Sequence, residues 1–199
     1  LSAMKRYNYE CEIQIQGCAI LNKLSATVQN QRTIAMADGI GIVLSVMRWH
    51  GQLMTIQENG CSILNNLSVN VENRRLMVSG GAIGTILASM QHYPKCGSIQ
   101  AHACGALCNL SCTMDNQFEV LTEGGLETVL GGMKEHSEDF AVQERGCFLL
   151  FALTDCRQTI PLMLQLGALC VVESAVNRTL ARSEARQCFS ELLKRLGAT

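Results

Sequence analysis

Apolar and polar positions along this chain follow two periods at once. Ile13, Gly17, Leu21 and Leu24 are separated by three or four residues, which places them on one face of a helix. The same pattern then returns every 43 residues. Ile13, Ile56, Ile99 and Val142 form one column, Leu21, Leu64, Leu107, Leu150 and Leu193 a second, and Leu24, Leu67, Leu110, Leu153 and Leu196 a third. Cys18, Cys61, Cys104 and Cys147 coincide as well, each following a small residue at Gly17, Gly60, Ala103 and Gly146. The spacing predicts long helices near residues 12–24, 55–67, 98–110, 141–153 and 184–196. The small column on the apolar face lets another helix approach closely.

The stretches between these helices repeat too. Asn30, Asn73 and Asn116 introduce short amphipathic segments with Ile34, Met77 and Val120 pointing inward, and asparagine is suited to accept from an unpaired N–H at a helix start. The segments stop at "ADG", "SGG", "EGG" and "LGA", where Gly81, Gly124 and Gly167 share a column and permit a sharp turn. A second helix follows in each copy: "IGIVLSVM", "IGTILASM", "LETVLGGM" and "LCVVESAV". Each unit therefore reads as a short, a medium and a long helix. Such a unit cannot bury its apolar surface alone, whereas stacked units share one continuous core. The expected fold is all-α, a right-handed α-solenoid forming one array over residues 1–199. Leu1 and Met4 align with Leu44 and Met47, so the array is expected to begin inside a repeat. The last copy carries Phe189 in place of the small residue and many charges, as expected of a capping unit.

Composition narrows the function classes. The chain is 48% hydrophobic and 17% charged, with a net charge of -1, so it folds and lacks the basic field that nucleic-acid backbones require. The richest apolar run, "GCFLLFAL", is broken by Thr154 and Asp155, too short for a membrane span. The opening "LSAMKRYNYECEIQ" lacks the pattern of a signal peptide. Eleven cysteines beside an ample aliphatic core read as reduced, packed thiols in a cytoplasmic protein. Cys104, Cys108 and Cys112 lie near His102 in "HACGALCNLSC", but Cys104 belongs to a column repeated without companions, so no metal is expected. The glycines of "VSGGAIG" and "TEGGLETVLGG" lack the Lys-Ser/Thr ending of a phosphate loop, and no cofactor is expected. His50 and His136 share a boundary column with Tyr93, and no serine, histidine and carboxylate recur together. The segment reads as noncatalytic. Eight acids and one base lie between Asp115 and Glu144, with Glu119, Glu123 and Glu127 at helical spacing; that charge favours a basic protein segment over nucleic acid.

The units "IQIQGCAILNKLS", "IQENGCSILNNLS" and "IQAHACGALCNLS", with their joining segments, resemble the armadillo-repeat family over essentially the whole chain. The resemblance implies a noncatalytic scaffold that holds a protein or peptide along a concave groove lined by the long helices. The family's peptide-gripping asparagine matches Asn66 and Asn109, and its column also holds Lys23, Ala152 and Arg195. The tryptophan of nuclear-import receptors is replaced by Ala19, Ser62, Gly105, Phe148 and Glu191, so the array is not of that kind. His102 shares a groove-facing column with Gln16, Asn59 and Arg145. The partner-contact set is thus Gln16, Lys23, Asn59, Ser62, Asn66, His102, Asn109, Arg145 and Phe148. An asparagine amide offers one donor and one acceptor side, matching a partner's main chain. The alternative is a structural spacer or self-association segment whose ends stack on neighbouring repeats or domains.

Overall fold

The structure, a computed structural model, describes residues 1–156, 158–179 and 183–197. These residues form fourteen helices. The long helices are α2 (Cys11–Ser25), α5 (Met54–Leu67), α8 (Gly97–Leu110), α11 (Phe140–Leu153) and α14 (Ser183–Arg195), within a residue or so of the expected spans. The short ones are α3 (Val28–Met36), α6 (Val71–Ser79), α9 (Met114–Thr122) and α12 (Thr159–Gln165). The second helices are α4 (Gly39–Trp49), α7 (Ala82–His92), α10 (Gly125–Glu135) and α13 (Ala168–Thr179), preceded by the short α1 (Ser2–Arg6). Each long helix packs on the long helix one unit away, which builds the solenoid-like array.

Each corner of the unit has its own device. Between short and second helices, Gly81, Gly124 and Gly167 take φ of 72°, 73° and 76°, and Asp38 fills the same position in the first unit at φ 59°. The chain turns by 82° between α12 and α13 at such a corner. Between long and short helices, the asparagine column works differently from the sequence expectation. The residues before the first three short helices are Thr27, Asn70 and Thr113; Asn70 and Thr113 accept from the first-turn N–H groups. Asn30, Asn73 and Asn116 sit inside the first turn and donate through Nδ2 back to the carbonyls of Leu24, Leu67 and Leu110, at 3.1, 3.0 and 2.6 Å. They close the end of the preceding long helix, whose last carbonyls have no partners of their own.

The corner from second to long helix is held by a buried glutamine column. Gln14, Gln57, Gln100 and Gln143 each send Nε2 to two carbonyls at the end of the preceding second helix, Met4 and Tyr7, Met47 and His50, Met90 and Tyr93, and Met133 and His136. The Ile-Gln or Val-Gln pair at the start of the first four long helices is its sequence signal. The small column is explained by methionine. A Cβ on Gly17, Gly60 or Gly146 would lie 2.6, 2.5 or 2.6 Å from the Sδ of Met4, Met47 or Met133, so second and long helices cross with sulfur against bare backbone.

Two expectations change. Glu119, Glu123 and Glu127 do not share a helical face: Glu119 lies in α9, Glu123 ends it and Glu127 belongs to α10, across the Gly124 corner. Leu24 does not share the fate of its column. Leu67, Leu110 and Leu153 are fully buried and Leu196 nearly so, while Leu24 is 44% exposed. Among the described residues, no single helix is long and apolar enough to cross a membrane.

Candidate functional site

Several polar side chains of the long helices form hydrogen bonds that run from one unit to the next. Asn66 Nδ2 donates to Ser25 Oγ at 3.0 Å, and Asn109 Nδ2 donates to Ser68 Oγ at 2.9 Å. Each hydroxyl in turn donates to its own helix, Ser25 to the Asn22 carbonyl and Ser68 to the Asn65 carbonyl, both at 2.8 Å. Arg195 occupies the same column in the last unit and donates to Thr154 Oγ1, while its guanidinium lies 4.5 Å from the Phe151 ring centroid and bridges to Asp155 at 3.1 Å. The ladder residue therefore ties its unit to the previous one. Asn66 and Asn109 are half-buried, and their Oδ1 atoms make no hydrogen bond among the described residues. Half of each amide is held and half is open.

A second polar layer runs beside the first. Asn22 Nδ2 donates to Asn59 Oδ1 at 2.9 Å and accepts from Ser62 Oγ at 2.8 Å, while Asn59 Nδ2 returns to the Thr55 carbonyl. Ser62 is buried, with its hydroxyl committed to Asn22. One unit on, Asn65 replaces Asn22 and Gly105 replaces Ser62; a Cβ on Gly105 would collide with Asn65 Oδ1. These contacts give a physical reason for the missing tryptophan. A large ring at Ser62 or Gly105 would occupy the volume that Asn22 and Asn65 fill. Asn65, which lies outside the expected contact set, is half-buried and makes no side-chain hydrogen bond among the described residues.

Further along the array, Arg145 Nη1 lies 3.1 Å from His102 Nδ1. Arginine can only donate, so Nδ1 accepts and the ring proton sits on Nε2. Burial, then the Arg145 charge, pushes the His102 pKa below its ordinary value, with Glu58 opposing. His102 is therefore a neutral donor near pH 7, beside a guanidinium with further N–H groups. Phe148 is half-buried with its ring 5.5 Å from the buried Phe189, so it joins the last unit to the core. At the opposite end, Gln16 donates to Glu12 at 2.9 Å, and Lys23 is exposed with no hydrogen-bond or ion-pair partner among the described residues.

The cysteines have a defined state. All eleven cysteines are free thiols. Burial pushes Cys18, Cys61 and Cys104 up to about 12 and Cys108 to about 11, and raises Cys147 as well, so these sulfurs are neutral and unreactive at neutral pH. Cys112 lies beyond the end of α8 and is exposed, apart from the buried Cys104. Among the described residues, no group of three or more His, Cys, Asp or Glu side chains is placed to hold a metal ion.

The boundary column also has a defined task. His50 Nε2 reaches the Asn8 carbonyl at 2.8 Å, Tyr93 OH the Gly51 carbonyl at 3.0 Å, and His136 Nε2 the Pro94 carbonyl at 2.8 Å. Each clasps the loop of the unit before it. Imidazole and phenol both place a donor at that distance, which is why the two residue types share the column.

The comparisons agree with this architecture. Among curated proteins none matches the chain. Among solved structures, the engineered protein "Northeast Structural Genomics Consortium Target OR329" is similar in fold, with a TM-score of 0.59 at 14% identity, over 98% of this chain and 95% of that one. The family described as "LRRK2 ARM repeat" matches residues 1–130, spanning the first three long helices and the ladder asparagines. The chain belongs to the LRRK2 ARM repeat family.

Proposed function

We propose that this array is a noncatalytic protein-interaction scaffold whose long-helix face takes an extended or helical segment of a protein partner. The observation that carries the reading is the half-used ladder. Asn66 and Asn109 are each fixed by one hydrogen bond to the preceding unit and keep an unengaged acceptor at a one-unit spacing. A side chain already immobilised loses less freedom when it binds, so its contact contributes more to affinity. Asn65, Asn59, His102 and Arg145 flank the ladder and supply the side-chain chemistry that selects the partner, with Gln16 and Lys23 at one end and Phe148 at the other. Ser62 contributes by holding Asn22. The eleven free thiols fit a reducing compartment, and we place the scaffold in the cytoplasm.

The test is a pull-down comparing the chain with Asn66→Ala/Asn109→Ala, followed by calorimetric titration of the partner it retrieves. Each lost hydrogen bond costs about 0.5–1.5 kcal/mol, so the pair lowers affinity roughly fivefold to a hundredfold. The same substitutions remove two inter-unit bonds, so thermal melts accompany the titration. A folded double variant with undiminished affinity rejects the groove. A lowered melting temperature without a binding defect favours the second reading, a structural spacer or stacking segment, which the open apolar face of α2 supports.

A further inference from the structure

The short helices carry on their outer side what the second helices do not. Exposed positions of α4, α7 and α10 hold small or polar residues, Ser45, Ala88 and Gly131 in one column and Arg48, Gln91 and Lys134 in another, as a water-facing surface requires. In α3, α6 and α9 the first position is Val28, Val71 and Met114, which are 80%, 54% and 53% exposed. Met36, Leu76 and Phe118 are exposed as well. Val28, Arg32 and Met36 follow one another at four-residue spacing, as do Met114 and Phe118, so each set falls on one stripe of its helix. The helices α6 and α9 have a neighbouring unit on both sides, so this exposure is independent of where the array is cut. Large apolar side chains that recur on one exposed face mark an interaction surface.

Charge on the same face is arranged by position. Arg32 on α3 is exposed and makes no ion pair among the described residues. Asp115 and Glu119 on α9, and Glu123 at its end, make none either. Between these two ends the charges of α6 are already spent: Arg75 bridges to Glu72 at 3.3 Å, and Arg74 donates to the Ser68 and Val69 carbonyls. A face that is basic at one end, acidic at the other and apolar throughout is complementary to itself turned end for end. The three unpaired carboxylates also make it a poor seat for an anionic membrane or a nucleic acid.

We propose that the outer face of α3, α6 and α9 is a dimer interface that takes a second copy of this chain, related by a two-fold axis through the middle of α6. The axis lays α3 of one copy antiparallel over α9 of the other. Met36 then meets Met114, and Arg32 meets the Phe118 ring between Asp115 and Glu119. Arg75 faces its own counterpart at the axis, neutralised by Glu72. Three nine-residue helices about 10 Å apart present roughly 400 Å² per copy, at the low end of specific interfaces, so the dimer forms in the range of about 10–100 µM. The inference uses none of the groove residues and is independent of whether the long-helix face binds a peptide.

Sedimentation equilibrium of the full chain, from about 1 to 300 µM, tests it. The expected result is a reversible monomer–dimer equilibrium that stops at the dimer, because a two-fold interface closes on itself. Val71→Glu sets carboxylates into the apolar stripe beside the axis and is expected to keep the chain monomeric over that range. Arg32→Glu alone, and Asp115→Lys/Glu119→Lys alone, each weaken the dimer about tenfold or more, since like charges then face each other. Mixing these two variants restores it, because both junctions of the mixed pair join opposite charges, a rescue that misfolded chains could not give. Asn66→Ala/Asn109→Ala leaves dimerisation unchanged, so failure of the groove and failure of this interface are read separately. A chain that stays monomeric, grows past the dimer, associates equally well as Val71→Glu, or shows no restoration on mixing overturns the proposal. Association abolished by Ile20→Glu but not by Val71→Glu overturns it too, as does a monomeric chain whose Val71 face binds vesicles of anionic lipid instead.

Discussion

The helices α2 and α5 are built on nearly the same sentence, "CAILNKLS" and "CSILNNLS", yet they live in different surroundings. Ile63 and Leu67 are fully buried in α5, while Ile20 and Leu24 of α2 are 58% and 44% exposed. Ser62 reaches Asn22 and Asn66 reaches Ser25, so α5 is tied to α2 by polar side chains as well as by packing. The corresponding residues of α2, Ala19 and Lys23, make no such bond. A repeat-period pattern specifies what a helix is able to bury. The neighbour decides whether it does, because in a stacked array much of each unit's stability resides in its interfaces.

The strongest way to sharpen this contrast is to truncate one column at both places. Leu67→Ala removes a fully buried side chain between units, and the expected loss is about 2–5 kcal/mol. Leu24→Ala removes the same atoms from a surface already 44% open and costs about 1 kcal/mol or less. Urea denaturation of both variants measures the difference. Equal losses would mean that α2 is covered in solution.

Overpacking gives a second, smaller contrast. Gly60→Leu drives a side chain into Met47, which is buried between α4 and α5, and is expected to cost about 1–3 kcal/mol. Gly17→Leu meets Met4 in the same geometry, but both residues line the open cavity and Met4 can swing aside. Its cost is expected to be below that of Gly60→Leu, and thermal melts of the two variants rank them.

A separate effect, set by pH, is carried by the cysteine column, which is buried even at the edge. Cys18, Cys61 and Cys104 titrate near 9.0 when unfolded and near 12 when folded, because burial disfavours the thiolate. Their contribution is fully present below about pH 9 and is lost as pH rises toward 12, since the unfolded chain releases those protons first. The urea midpoint is therefore expected to fall across that range, with a shallower fall in Cys61→Ala/Cys104→Ala. In the native state at neutral pH, a thiol reagent should label the exposed Cys11, Cys112 and Cys170 ahead of the column. Rapid labelling of Cys61 without unfolding would show that the interior opens locally.

The architecture was legible because its determinants are local and repeated. Helical spacing of Ile13, Gly17, Leu21 and Leu24, returning every 43 residues, was enough to place all five long helices within a residue or so. The glycine turns were legible too, since Gly81, Gly124 and Gly167 do adopt the left-handed conformation that the corner needs. The candidate groove was legible only as a set of columns. Column position says which residues share a face, but it carries no information on which hydrogen of which amide is already spent. Asn66 and Asn109 proved to be fastened to Ser25 and Ser68, Ser62 was drawn inward by Asn22, and Asn65 emerged as an open amide because Gly105 leaves it room.

What the sequence determined by itself was the unit, its period and its apolar face, because these follow from the geometry of a single helix and from the conformational freedom of glycine. The direction in which Asn30, Asn73 and Asn116 use their amides was decided by tertiary structure, where the carbonyls ending the preceding long helix came within reach. Tertiary structure also decided the fate of identical positions: Leu24 and Leu67 differ in burial although their local sequences match. The physical reason is that burial and hydrogen-bond pairing are properties of two surfaces, and one helix's sequence describes only one of them.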